Sequence, residues 1–512
     1  MKIRSALISV SDKSEIETVL KALKKYRIKL ISSGGTYKKI RSLGHDCIEV
    51  SNYTGFPEIL DGRIKTIHPK IHSGILYKRN NRSHKKTLKE MKFNGIDLVI
   101  TNFYPFKKIL NQTSNQNRII ENIDIGGPTL VRSAAKNFSD VVVITKIDQY
   151  KELIEELNLC NGGTSLQFRT RMSNEAFGET AIYDATIYNY FNSILKKNIP
   201  DKLIIKGNLI QKLRYGENPH QLGAIYSSEE SFPLVKIQGK ELSYNNYNDI
   251  FASLNLANSL PKNQGTVIVK HANPSGVSIE KDRLASYISA VNCDPISAFG
   301  GIVTCNFKMT YNVAKEIAKN YYEVIVAKGF EKKALAIFKS KKNLRLIDSS
   351  KTLPKKNYKI ITGIDSFLFQ SSDNLIFNQN NFKVVSKSKP SKKLMSQLLF
   401  SFNVCRSVKS NAIVIAQKNK TIGIGSGQPS RLDSCKIAIN KMNEFKQYNN
   451  NDVIVAASDA FFPFVDGLEK LIQAGVTAVI QPSGSIRDKE IIKFANEMGI
   501  VLIFSKTRHF NH

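Results

Sequence analysis

The sequence predicts an α/β protein in which a parallel sheet, covered on both faces, is followed by a larger α/β region. Four apolar runs in the first 150 residues point to the sheet: ALISV (6–10), KLISS (29–33), DLVITNFYP (97–105) and VVVIT (141–145). They are continuous, not alternating, as strands buried on both faces are. Helical patterns stand between them, including 13–26 and 36–43, and strand–helix alternation is the signature of parallel crossover units. A helical stretch at 167–195 then gives way to KKNIPDK (196–202), a polar segment with a proline and no periodicity, which reads as a linker.

Beyond it lie two sets of apolar strands. The first is VIVKH (267–271), FGGIVTC (299–305) and YEVIVAKGF (322–330). The second is AIVIAQ (412–417), TIGIGSG (421–427), VIVAASDAFFPF (453–464), VTAVIQP (476–482) and IVLIFS (500–505). The expected organisation is one domain over 1–196 and a second region over 203–512. That region should hold two modules, at about 203–335 and 395–512, joined by a segment rich in Lys, Ser and Asn. Sets of similar size are compatible with internal duplication, although no clean sequence repeat is visible.

Composition narrows the function classes. At 512 residues the chain is too long for one ordinary domain, and 42% hydrophobic residues exclude a largely disordered chain. The longest uncharged stretch, Leu471 to Ile486, is too short and polar to span a bilayer. The apolar run behind Lys2 and Arg4 is shorter than a secretory core, so a soluble cytoplasmic protein without a membrane partner is expected. The net charge of +32 invites a nucleic-acid reading. The excess is spread evenly along the chain, with no tail or stripe, and accompanies abundant Lys, Asn and Ile. It reads as a composition bias, and no nucleic-acid partner is expected. A positive field still helps to collect phosphorylated substrates. Six cysteines without a CxxC pair, and without His at ligand spacing, imply neither a disulfide framework nor a metal site.

Several turns carry chemistry. SSGGT (32–36) ends a strand and opens a helix. Gly34 and Gly35 let backbone N–H groups approach an anion, while Ser33 and Thr36 add hydroxyls. An ordinary tight turn would look the same. SDK (11–13) favours a phosphate site, because it puts Lys13 at the same edge of the sheet. In DGRIKTIHPKIH (61–72), Arg63, Lys65, His68, Lys70 and His72 stand with Asp61 as the only acid. A solvated basic loop is the plain alternative, but Gly and Pro hold the loop tightly enough to aim its cations. IDIGGPTLVRSAAKN (123–137) resembles a second anion turn, with Gly126 and Gly127 before Pro128 at the helix start. Arg132 and Lys136 share a helix face, Asp124 stands ahead of the turn as an acid or base, and Tyr104 in NFYPF offers a phenol. Together these suggest rearrangement of a phosphorylated substrate.

In KHANPSG (270–276), Lys270 and His271 converge only if the chain turns there, and Asn273-Pro274 is expected to supply the turn. A His packed against the sheet end is an equal reading to a general base. LRYGENPHQ (213–221) gathers polar groups, and SGQPSR (426–431) contributes Arg431. SDAFFPFVDG (458–467) places Phe461, Phe462 and Asp466 where a flat heterocycle with polar edges would fit, although core packing explains the rings as well. RHFNH (508–512) ends the chain, where fraying is ordinary.

Taken in order, these segments resemble the bifunctional purine biosynthesis family that joins AICAR transformylase to IMP cyclohydrolase. The resemblance runs from SVSDK (9–13) to RHFNH and includes QGKELSYNN (238–246), CDPISAFGGIV (293–303) and SNAIV (410–414). Ser275 stands where Cys is common, and Pro429 where Met is common. The resemblance implies a methylglyoxal-synthase-like first domain and two cytidine-deaminase-like modules, here without the deaminase zinc signature. It further implies a homodimer that transfers a formyl group from 10-formyltetrahydrofolate to AICAR and closes the product to IMP. Some members of that family hold a structural potassium ion.

The site residues follow from the same resemblance. For formyl transfer it implies His271 as base and Lys270 as proton donor or oxyanion stabiliser, with Asn411 and His512 orienting the substrate. Arg214, Tyr215, Arg431, Arg508 and Phe510 match nucleotide contacts, and Ile296, Phe461 and Asp466 match folate contacts. For ring closure, Lys65, Tyr104, Asp124 and Lys136 match the proton-transfer and oxyanion group. Ser11, Lys13, Ser33, Gly34, Gly35, Thr36, Arg63 and Thr66 match phosphate and ribose contacts, beside the Gly126–Gly127 turn.

Overall fold

In the computed structural model, β1 (Ser5–Ile8), β2 (Lys29–Ser32), β3 (Ile48–Glu49), β4 (Leu98–Ile100) and β5 (Val142–Ile144) form a sheet ordered β3-β2-β1-β4-β5. Every pairing is parallel. The structure describes residues 1–229, 232–352, 358–446, 448–449 and 451–512; the side chains of Asp61 and Gln379 lie outside the described part. The chain divides into two units, Met1–Gly207 and Asn208–His512. In the first, helices such as Ile16–Lys25, Gly126–Lys136 and Gln149–Leu159 bury their apolar faces against the fully buried residues of β1, β4 and β5. The helix Leu166–Ile194 packs along Gly126–Lys136. Strand order reverses between β1 and β4, so a crevice opens beyond their C-terminal ends.

Two expectations change here. β3 is two residues long and partly exposed, so it leaves no apolar run to read. The run 97–105 is a strand only to Ile100. The Asn102 side chain takes the N–H groups of Ser11 and Asp12 at 2.7 and 2.9 Å, which draws the chain off the ladder.

The second unit opens with a hairpin, β6 (Asn208–Lys212) and β7 (Ala224–Ser227), followed by β8 (Val235–Gln238). One module contains β9 (Gly265–Lys270), β10 (Asn273–Ile279), β11 (Ile302–Cys305), β12 (Val324–Ala327) and β13 (Arg345–Asp348). A second hairpin, β14 (Tyr358–Gly363) with β15 (Ser366–Ser371), and the short β16 (Phe382–Val384) come next. The other module contains β17 (Ile413–Gln417), β18 (Lys420–Gly425), β19 (Ile454–Ser458), β20 (Val476–Pro482) and β21 (Val501–Ser505). The segment 331–395 is therefore more than a connection. Leu346 and Ile347 are fully buried, and β13 completes the first module.

The modules repeat one topology. β10-β9-β11-β12-β13 and β18-β17-β19-β20-β21 share order and direction, with an antiparallel hairpin on one side and parallel strands on the other. They join through an antiparallel contact at Ser278 and Lys420, giving one twelve-stranded sheet. Among the described residues, no helix is long and apolar enough to cross a membrane. The six cysteines are free, and burial pushes Cys293 and Cys305 up to about 12.

Candidate active sites

The first site is built on loops at the C-terminal ends of β1, β2 and β4. The helix Gly34–Ser42 starts directly at the glycine turn, and its Ser33 cap makes no side-chain bond to the helix start. The first N–H groups are thus left for a ligand. Gly34 has φ +52, a conformation a side chain would strain. A β-carbon there would lie 3.4 Å from Lys65 Nζ, and one at Gly35 would lie 3.8 Å from Lys13 Nζ. Both ammonium groups therefore stand over the turn. Lys65 also pairs with Glu58 at 2.8 Å, and Lys13 donates to the Ser11 carbonyl at 3.1 Å.

Asn102 fastens the Ser11–Lys13 loop beside Phe103 and Tyr104, whose side chain is exposed. Asp124 lies next to them. Its Oδ1 accepts the Gly127 N–H at 2.8 Å, its Oδ2 accepts the Tyr104 N–H at 3.4 Å, and its own N–H donates to the Tyr183 hydroxyl at 2.7 Å. Burial holds its carboxyl above the ordinary aspartate value, opposed by the N–H groups of Gly127, Tyr104 and Gly126. Thr66 is buried against Gly126, which brings the basic loop to the second turn.

Four expected residues stand differently. The Thr36 hydroxyl donates to the Val10 carbonyl at 2.9 Å and accepts the Val10 N–H at 3.2 Å, so it ties two loops together instead of facing a phosphate. Arg63 is paired with Glu121 at the surface. His68 caps its own helix by accepting the Lys70 N–H at 3.1 Å. Lys136 ends the helix that Gly126 begins, ten residues on, so the rise of the helix puts it about 15 Å from the Asp124 turn.

The second site is centred on the β9–β10 hairpin. The turn is His271–Ala272, with φ 54 and 57, and Asn273 already pairs with Lys270. A two-residue turn of this kind needs positive φ at both central positions, so Asn273-Pro274 begins the returning strand and does not make the turn. Asp249, on the helix Tyr244–Ser259, supports the conformation by accepting the N–H groups of His271 and Ala272 at 3.2 and 2.6 Å. Lys270 Nζ donates to the Phe299 carbonyl at 2.8 Å, beside the short helix that carries the exposed Ile296.

From this turn a chain of bonds reaches the C-terminus. Asn273 accepts the Lys409 N–H at 2.9 Å, and Ser410 N donates to the Asn511 carbonyl at 2.9 Å. Asp459 is fully buried. Its carboxylate takes Arg431 and, at 2.5 Å, the Ser410 hydroxyl, while its carbonyl accepts the His509 N–H at 2.9 Å. Arg431 is enclosed and also donates to Ser458 and Asn411, each at 2.7 Å. Asn411 donates to the carbonyls of Gln428 and Pro429, so both amide hydrogens are committed and its oxygen keeps one free lone pair.

Arg508, Phe510 and His512 are exposed on one side of the tail, with the Arg508 guanidinium 4.7 Å from the Phe510 ring centre. Arg214 lies over Tyr215 in the loop between β6 and β7. Phe461 is half-buried and Asp466 exposed after β19, whereas Phe462 is core, packed on Gly467. Sequence reasoning missed Asp249, Asp459 and Ser410. Asp459 and Ser410 were readable only as parts of SDAFFPF and SNAIV, and Asp249 carries no local signal. Among the described residues, no group of three or more His, Cys, Asp or Glu stands together that could hold a metal ion.

Comparisons with known proteins agree along the whole chain. The family model described as the AICARFT/IMPCHase bienzyme matches residues 134–441, and the model of the MGS-like domain matches 15–129. The bifunctional purine biosynthesis protein PurH of Bradyrhizobium diazoefficiens is 43% identical over 528 residues, covering 100% of this chain and 99% of its own. PurH of Elusimicrobium minutum is 40% identical over 516 residues, with the same coverage. A solved structure described as the crystal structure of ForH is 29% identical, covers 37% of this chain and 99% of its own, and has a TM-score of 0.34. This chain belongs to the AICARFT/IMPCHase bienzyme family.

Proposed function

We propose that the chain is a bifunctional enzyme of purine synthesis, an AICAR formyltransferase and IMP cyclohydrolase, with one chemistry in each unit. In the first step the 5-amine of AICAR attacks the formyl carbon of 10-formyltetrahydrofolate, loses a proton, and the folate nitrogen leaves with one. The amine lone pair is delocalised into the ring, so attack needs a base and a placed proton donor. His271, lifted out of the strand by its turn, is the proposed base, and Lys270 the donor or oxyanion stabiliser. Arg508, Phe510 and His512 hold the nucleotide, with Arg214 and Tyr215. Ile296, Phe461 and Asp466 are the proposed folate contacts. Arg431 and Asn411 act mainly by fixing each other.

In the second step the carboxamide nitrogen closes on the formyl carbon and water leaves. Lys13, Lys65 and the Gly34–Gly35 turn receive the phosphate, while Asp124 and Tyr104 move protons. The observation that supports this reading is that Lys13 and Lys65 stand over the Gly34–Gly35 turn while Asp124 accepts the Tyr104 backbone N–H, all within the first unit. A homodimer in a reducing cytoplasm is part of the proposal, and four buried, free cysteines support that compartment. One coupled assay tests it, following loss of 10-formyltetrahydrofolate and appearance of IMP. Consumption of folate without AICAR, or no IMP from the formylated intermediate, would refute it.

A further inference from the structure

A chain terminus of five residues ordinarily frays, and nothing in RHFNH alone would prevent that. The structure holds it at alternate residues. His509 is 3% exposed, with its ring edge-on to Phe377 and Phe402 at centroid distances of 5.4 and 5.2 Å. Both ring nitrogens have partners. Nδ1 meets Asp373 Oδ2 at 2.5 Å and Nε2 meets Thr507 Oγ1 at 3.0 Å. The carboxylate can only accept, so Nδ1 carries the proton in that bond. Asn511 is the second anchor, through its N–H to Ser410 Oγ at 3.0 Å and its amide to the Ser407 carbonyl at 3.2 Å. The segment that carries Asp373 is itself fixed, because Arg406 donates to the Leu375 carbonyl at 2.7 Å.

Successive side chains of an extended chain face opposite ways. Pinning 509 and 511 inward therefore turns 508, 510 and 512 outward, and a slip of one residue would bury the wrong set. We propose that His509, latched by Asp373, is the positioning residue that sets the register of the C-terminal tail for formyl transfer. Neither residue reaches the outward face, so both act through Arg508, Phe510 and His512. The proposal rests on the reading that this tail serves the formyl-transfer site.

The experiment uses the full chain and measures kcat and KM for formyl transfer, with ring closure in the same preparation. His509→Phe fills the aromatic box but removes both ring bonds. Asp373→Ala removes one bond from a side chain that is 42% exposed, so it spares the core. Each should lower formyl-transfer kcat at least about fivefold, with ring closure and melting temperature unchanged. Asp373→Asn keeps an acceptor oxygen and should retain most of the activity. Arg508→Ala should cost much less in the His509→Phe background than alone, because residues acting as one unit are not additive.

Wild-type kcat in both latch variants, with the full cost of Arg508→Ala preserved, would overturn the proposal. Should His509→Phe fail to fold, equal kcat in Asp373→Ala and Asp373→Asn would overturn it by itself. A wild-type chain that closes the formylated intermediate but transfers no formyl group would sink the functional reading instead, and would be seen in the control lane.

Discussion

Replacing Gly127 by alanine should disable ring closure without touching a reactive group. A β-carbon at Gly127 would stand 2.5 Å from Asp124 Oδ2 and 3.0 Å from its Cγ, closer than atoms approach, so the carboxylate must swing away. The swing breaks the 2.8 Å bond from the Gly127 N–H to Oδ1. A hydrogen bond to a charged group contributes about 1.5–3 kcal/mol. At about 1.4 kcal/mol per factor of ten, cyclisation should fall by roughly 10- to 150-fold. Fold stability should fall by less, about 0.5–2 kcal/mol, because Gly127 lies in the first turn of a helix and the preference for alanine over glycine there offsets up to about 1 kcal/mol of the lost bond. Loss of ring closure in a protein that is still fully folded at the assay temperature, with formyl transfer retained, is the diagnostic pattern. Following closure of the formylated intermediate by absorbance, with formyl transfer as the internal control, measures it. A folded Gly127→Ala protein that cyclises at the wild-type rate would show that Asp124 need not be where the structure puts it.

Other outcomes follow from the same geometry. Lys65→Ala should cripple cyclisation and spare formyl transfer, and His271→Ala the reverse; loss of both activities from either folded variant would contradict separate sites. Deleting 508–512 should lower formyl-transfer turnover at least about tenfold, roughly 1.4 kcal/mol of barrier, with cyclisation intact. The raised Asp124 carboxyl should put the acid limb of cyclisation above the ordinary aspartate range, and Asp124→Asn should remove that limb from the residual rate. The same shift means that Asp124 binds its proton more tightly folded than unfolded. Its contribution is present at low pH and is lost as pH rises through that window, so a urea titration series should show stability falling there. Asp249→Asn should slow formyl transfer more than it lowers stability, since it weakens the two bonds that hold the His271 turn.

Elements were legible where one physical signal dominated. The continuous apolar runs marked β1, β2, β5 and the paired sets of the second unit, because burial on both faces leaves no alternation to confuse. Lys13 and the Gly34–Gly35 turn could be read because they are adjacent to strand ends. Partnerships between distant side chains could not. Thr36 reads as an anion donor, but its hydroxyl is taken by Val10, and Arg431 matches a nucleotide contact, but it is enclosed against Asp459. The His271 turn was misplaced by two residues, since Asn-Pro is a stronger local turn signal than His-Ala. What forces positive φ on His271 and Ala272 is Asp249, more than twenty residues away on another element.

On the proposed reading, the duplicated topology explains why one hairpin serves a site and its counterpart does not. Both modules turn their first strand through two residues of positive φ, His271–Ala272 in one and Lys418–Asn419 in the other. In both, a side chain from the preceding helix accepts the first N–H of the turn: Asp249 for His271, and Gln397 for Lys418 at 2.9 Å. The copies differ in what surrounds this shared scaffold. Lys418 is paired with Asp452, and Gln397 is neutral and accepts the Lys418 N–H. At the other turn Asp249 is a carboxyl raised by burial, Lys270 is anchored on Phe299, and Asn273 ties the hairpin to the loop that leads to Asn411 and the tail. Antiparallel joining at Ser278 and Lys420 puts the two turns at opposite ends of β10 and β18, so the first module's turn meets the second module's loops. On the proposed reading, the formyl-transfer site draws on both copies: the first carries the proposed base and its proton partner, and the second carries the buried Arg431–Asp459 pair and the terminal strand from which the proposed nucleotide contacts extend.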